Sequence, residues 1–125
     1  MDDDDDEGEP EMACYKLVDA RQRHRDTPAT FQVPTMPQLA AIKVGDYVKA
    51  IFEYQKNPKH PPRCTSERMW VCVEHHNPKS GVIIGILANE PICIGPKQLQ
   101  WGDQITLHQV NVIDILDHVP TRILN

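Results

Sequence analysis

No apolar run in this sequence approaches the ~20 residues that a membrane-spanning helix needs. The longest, Val82 to Ala88, is interrupted by Gly85, so no membrane partner is expected. The N-terminus is acidic and lacks the ~7–15-residue apolar stretch of a secretory signal, which argues for a cytoplasmic protein. The four cysteines, Cys14, Cys64, Cys72 and Cys93, have no close paired spacing. Cys72 and Cys93 fall inside apolar runs, where a free cysteine behaves as a small hydrophobe. Reduced thiols in a cytoplasmic setting are therefore expected in preference to a disulfide framework.

Catalytic signatures are equally scarce. There is no Gly-x-Ser-x-Gly elbow, and the apolar settings of Cys72 and Cys93 are those of inert thiols. Zinc sites announce themselves by paired ligands a few residues apart. Only His60 with Cys64 and the adjacent His75 and His76, beside Glu74, come near that pattern. Glu67, Glu74, Glu90 and Asp103 carry acid–base potential but are indistinguishable from solvated strand ends. No cofactor, no metal and no catalytic residue is assigned, and an enzyme is not the favoured reading.

Charge is unevenly placed. Residues 1 to 11 hold eight acids (Asp2 to Asp6, Glu7, Glu9 and Glu11) and no base. Residues 12 to 125 then carry 10 acids against 13 Lys plus Arg, a balance of +3 under a formal total of -5. A block of acids with Gly8 and Pro10 has nothing to bury, and a disordered leader over residues 1–11 is expected. It reads as a solubilising segment, or as a screen for the basic stretch Lys16, Arg21, Arg23 and Arg25. Residues 12–125 form one small α+β domain in this reading.

Against these absences stand two Gly-Asp pairs, Gly45-Asp46 and Gly102-Asp103, each opening a strand-like run. Glycine takes a positive φ cheaply and aspartate bonds nearby amides, so each pair predicts a tight turn. After the first, Val48, Ala50 and Phe52 share one face and Lys49 and Glu53 the other. Glu67 to Glu74 and Gly81 to Leu87 read as two further, more central strands, with Gly85 marking a bulge or sharp bend. The last run, Ile105 to Leu116, breaks near Gln109. Upstream, residues 12 to 25 favour a helix, with Cys14, Leu17 and Val18 on one stripe and Pro28 beyond its end. Thr27 to Ala41 reads as an extended connector, and Tyr54 to Ser66 as a long loop rich in proline.

The most informative polar insertion is Asn89-Glu90-Pro91, lodged between apolar stretches. It is either a structural bend with its polar groups bonded internally, or a binding rim beside Trp101. Basic residues Lys43, Lys49, Lys56, Lys59, Arg63 and Arg68, with Tyr47, Tyr54 or Trp70 for stacking, also fit a small nucleic-acid-binding barrel. The modest charge and the acidic leader speak against that.

The ordered series Ala20-Arg21 with a following Phe31, Val44-Gly45-Asp46-Tyr47-Val48-Lys49-Ala50-Ile51-Phe52, Glu67-Arg68-Met69-Trp70-Val71, Gly85-Ile86-Leu87-Ala88-Asn89-Glu90-Pro91, Trp101-Gly102-Asp103-Gln104-Ile105 and Val112-Ile113-Asp114 resembles domain of unknown function 2314, the YegJ-like bacterial proteins. The resemblance covers about residues 15 to 117 and implies no established activity. The expected architecture is an N-terminal helix packed on a strongly bent antiparallel sheet of four or five strands, a small, partly open barrel. The expected function is non-catalytic protein binding, immunity-like or regulatory, through Trp70, Asn89, Glu90 and Trp101. The alternatives are a metal-assisted hydrolase and a nucleic-acid-binding barrel.

Overall fold

The computed structural model of the protein describes residues 14–117. The acidic leader, the first two positions of the expected helix and residues 118–125 lie outside them. The chain runs β1 (Tyr15–Leu17), α1 (Ala20–Asp26), α2 (Met36–Ala40), β2 (Tyr47–Tyr54), β3 (Ser66–Asn77), β4 (Val82–Leu87), β5 (Gln104–His108), a 3-10 turn (Gln109–Asn111) and β6 (Val112–Leu116). All strand pairs are antiparallel, in the order β1-β2-β3-β4-β5, and β6 also pairs with β2.

That last pairing curls the sheet. β5 lies at one edge and β6 on the far side of β2, yet only three residues separate them. So short a link lets both ends pair only if the sheet bends round towards its own edge, as a half-barrel. The bend has a local cause in β3 and β4. Register shifts between Val73 and His75, opposite Gly85 and Ile84, leaving Glu74 as an extra residue. A Cβ on Gly85 would stand 2.3 Å from the Cys72 carbonyl oxygen, so only glycine admits this approach.

Alternation then sorts the side chains. Val48, Ala50 and Phe52 of β2, with Met69, Val71 and Val73 of β3 and Ile83 and Leu87 of β4, are buried in the concave core. Burial of each larger aliphatic or aromatic side chain contributes about 1.5–3 kcal/mol. Lys49, Trp70, Arg68 and Asp114 belong to the other face, where Lys49 is registered against both Trp70 and Asp114.

The two Gly-Asp turns are built alike. Asp46 N–H donates to the Lys43 carbonyl and Lys43 N–H to the Asp46 carboxylate, both at 3.0 Å. Asp103 and Gln100 repeat the exchange at 3.1 and 3.0 Å. Gly45 and Gly102 take φ of 98° and 95°, which a residue with a Cβ adopts only at a cost. The turn tips are Val44 and Trp101, 65% and 60% exposed.

Three expectations are corrected. The helix expected over residues 12 to 25 is a strand and then a shorter helix: Tyr15 to Leu17 pair with Tyr54 to Phe52, and the Tyr15 ring packs tilted against the Phe52 ring, centroids 5.0 Å apart. Asp19, not a residue near 12, caps α1 by accepting from Gln22 N–H. Sheet pairing outweighs a weak helical propensity here. With β1 the strand count rises to six. The connector from Thr27 to Ala41 holds α2, started by a Thr35–Gln38 capping box with proline in its first turn. Finally, Cys64 and Cys93 form a disulfide across a Cα separation of 5.3 Å. It joins the β2–β3 loop to the β4–β5 segment, and the cytoplasmic expectation loses the support it drew from reduced thiols. Cys14 and Cys72 are free.

Candidate functional site

A concave feature among the described residues lies on the outer side of the sheet, beneath the segment that follows α1. Three bonds fix that segment. Phe31 N–H donates to the Thr27 carbonyl at 3.0 Å, Arg21 donates to the Pro34 carbonyl at 2.6 Å, and His24 Nδ1–H donates to the Phe31 carbonyl. α1 thereby holds residues 31–34 away from the strands, although the segment itself has no regular structure. The resulting open groove, about 470 Å³, is walled by Thr30 to Pro34 and Gln38 and floored by Lys49, Arg68 and Ile113 to Ile115.

Its electrostatics are set by cations resting on rings. Lys49 Nζ sits 4.9 Å from the Trp70 ring centroid. Arg68 and Arg23 each place their guanidinium carbon 5.8 Å from the Phe31 centroid. Such contacts contribute about 0.5–1 kcal/mol each at exposed sites. They hold the cations in place without neutralising them. Among the described residues, none of Lys49, Arg68 and Arg23 is in an ion pair; the pairs formed there are Lys16–Glu53 and Lys43–Asp46. Asp114 is the acid in the groove lining, and its carboxylate accepts from Ile115 N–H at 2.9 Å.

The four residues singled out from sequence fall in different places. Trp70 carries Lys49 on its face and so adjoins the groove. Asn89 is structural: its side-chain oxygen accepts from Trp70 N–H, while Ala88 N–H donates to the Trp70 carbonyl at 2.9 Å. Where β4 has ended, the Asn89 side chain continues its ladder along β3. Trp101 is joined to the same sheet end through its turn, since Gly102 N–H donates to the Leu87 carbonyl at 2.9 Å. Glu90 and Trp101 are both exposed and do not line the groove.

The sequence places Lys49 and Arg68 on a basic face with Trp70 and offers Glu67 as a candidate acid–base group, but it gives Phe31 no part in a site. Glu67 accepts from the Tyr54 hydroxyl and from Ile92 N–H at 2.8 Å, pinning the Asn89 segment further along β3. Burial, and then the Glu67 carboxylate, push the Tyr54 hydroxyl far above its ordinary pKa. The groove itself carried one signal, the Phe31 anchor in a proline-rich segment opposite a strand with Lys49 facing out.

His76 is held in a structural hydrogen-bond chain. His76 donates from Nδ1 to the Ile42 carbonyl at 2.7 Å, and its Nε2 accepts from Gln109 at 2.7 Å. That occupies both of its nitrogens, and the described residues hold no group of three or more His, Cys, Asp or Glu able to grip a metal. Burial raises the Cys14 thiol above its usual pKa, the reverse of what a nucleophilic cysteine needs. No helix among the described residues is long and apolar enough to cross a membrane.

The model of the family described as "Uncharacterized protein conserved in bacteria (DUF2314)" matches residues 16–120. The chain belongs to this family. No curated protein and no solved structure matches it. In this member of DUF2314 the matched region takes in all of the strands except Tyr15 of β1, both helices and the whole of the groove.

Proposed function

We propose that this member of DUF2314 is a non-catalytic protein-binding module, regulatory or immunity-like, that receives an acidic, extended segment of its partner. The docking surface is the groove between residues 30–34 and the outer sheet, and the partner extends beyond it over Trp70 to reach Asn89, Glu90 and Trp101. The observation that carries this reading is the placement of two cations, Lys49 and Arg68, on a groove floor with one lining carboxylate, Asp114, with which neither forms an ion pair. Each rests on an aromatic ring that pre-organises it and supplies apolar area for the occupant. The floor includes Ile113 to Ile115 of β6, whose one sheet partner among the described residues is β2, so an extended chain meets a matching extended surface.

Titration of a fluorescently labelled oligo-aspartate peptide into the protein, followed by anisotropy, tests this. Saturable binding that weakens with added salt and in Lys49→Gln and Arg68→Gln is expected. Because exposed charge pairs are individually weak, each substitution should weaken binding about two- to fivefold. A single-stranded oligonucleotide is the comparison probe. Tighter binding of the oligonucleotide would transfer the groove to nucleic acid.

A further inference from the structure

Nearly half of the chain's acids are concentrated in one place. Residues 2–11 include eight carboxylates and no base, and the groove they would meet presents Lys49, Arg68 and, across Phe31, Arg23. We infer that residues 2–11 are themselves an occupant of the groove, competing with the partner for it. This inference rests on the reading of the groove as a site for acidic, extended segments.

The tether is long enough. The Cys14 carbonyl accepts from Gln55 N–H at 2.9 Å, which anchors the chain at the far end of β2. Arg68 is registered opposite Ile51, four residues back along that strand. At about 3.3 Å per residue this is a path of about 13 Å. Ten extended residues reach about 33 Å. The chemistry also suits the occupant: a run of aspartates has no side chain too bulky for an open groove, and Gly8 and Pro10 discourage helix, leaving the extended form the groove fits.

A tethered segment acts at an effective concentration in the millimolar range, so it competes strongly with a partner of modest affinity. The device makes the groove selective for partners that outbid the chain's own acids, and it makes occupancy sensitive to salt.

The test uses the full chain with Asp2 to Asp6 changed to Asn and Glu7, Glu9 and Glu11 changed to Gln, beside the unaltered chain. Two readouts are taken: affinity for labelled oligo-aspartate, and backbone amide shifts. The neutralised chain should bind the peptide about tenfold more tightly. The amides of Phe31, Lys49 and Arg68 should differ between the two chains, and high salt should move the unaltered chain's signals towards the neutralised positions. If both chains bind the peptide and those amides coincide, self-occupancy is wrong while the groove stands; general repulsion by the acids would change affinity without moving them. If neither chain binds the peptide, the groove reading falls and self-occupancy falls with it.

Discussion

Asn89 accepts the backbone N–H of Trp70 through its side-chain oxygen, across nineteen positions of sequence. That bond puts a side chain where a strand partner would stand, two residues beyond the end of β4. Asn89→Ala leaves a partly buried amide without a partner and should cost about 1–3 kcal/mol. Asn89→Asp keeps the acceptor and should cost much less. Urea midpoints of the two variants check the difference.

Gly85 is the steric hinge of the curl. Alanine there would drive its Cβ into the Cys72 carbonyl, with Val71 Cγ1 only 2.7 Å away. Both neighbours belong to β3, so relief requires the strands to separate. A loss of about 3 kcal/mol or more is expected for Gly85→Ala, seen as a fall of the thermal midpoint. Gly102→Ala, with nothing within 4 Å of the added carbon but a positive φ, should lose less.

Much of this framework was legible before the fold was known, and the reasons are local. The Gly-Asp pairs encode their turns within four residues, and the alternation of Val48, Ala50 and Phe52 reports one buried face. Gly85 announced a bulge, although the extra residue proved to lie in the facing strand. What stayed hidden depends on distant partners. Tyr15 to Leu17 become a strand only because β2 offers an edge, and Cys64 and Cys93 meet only because two loops converge. The groove was hidden for the same reason, since Phe31 and Lys49 are eighteen positions apart and nothing in their spacing predicts that they share a cavity. Asn89 was the intermediate case: internal bonding was one of two readings, and its partner was not foreseeable.

Alkaline pH should destabilise the protein. Burial, with the Glu67 carboxylate for Tyr54 and lesser charges for Tyr15, raises both hydroxyls above their ordinary pKa. An acid whose folded pKa is raised keeps its proton in the fold after the unfolded chain has lost it. Stability is therefore intact below about pH 10 and declines as pH rises beyond that. Tyr54→Phe should flatten the decline. Urea midpoints of both proteins at about pH 8 and about pH 11 measure it.

The Cys64–Cys93 bridge closes a loop between positions 29 apart. Chain-entropy estimates for a loop of that size give about 3–4 kcal/mol. Cys64→Ser with Cys93→Ser should lower stability by about that amount, and dithiothreitol should lower the unaltered protein's urea midpoint to match. Dithiothreitol should leave the double variant unchanged.

The groove is the centre of the functional account, and amide mapping during addition of oligo-aspartate to the full chain tests it most directly. Shifts should appear at Phe31, Lys49, Arg68 and Ile113 to Ile115 and grow to saturation. Shifts confined to the β2–β3 loop around Lys56, Lys59 and Arg63, or none at all, would contradict it.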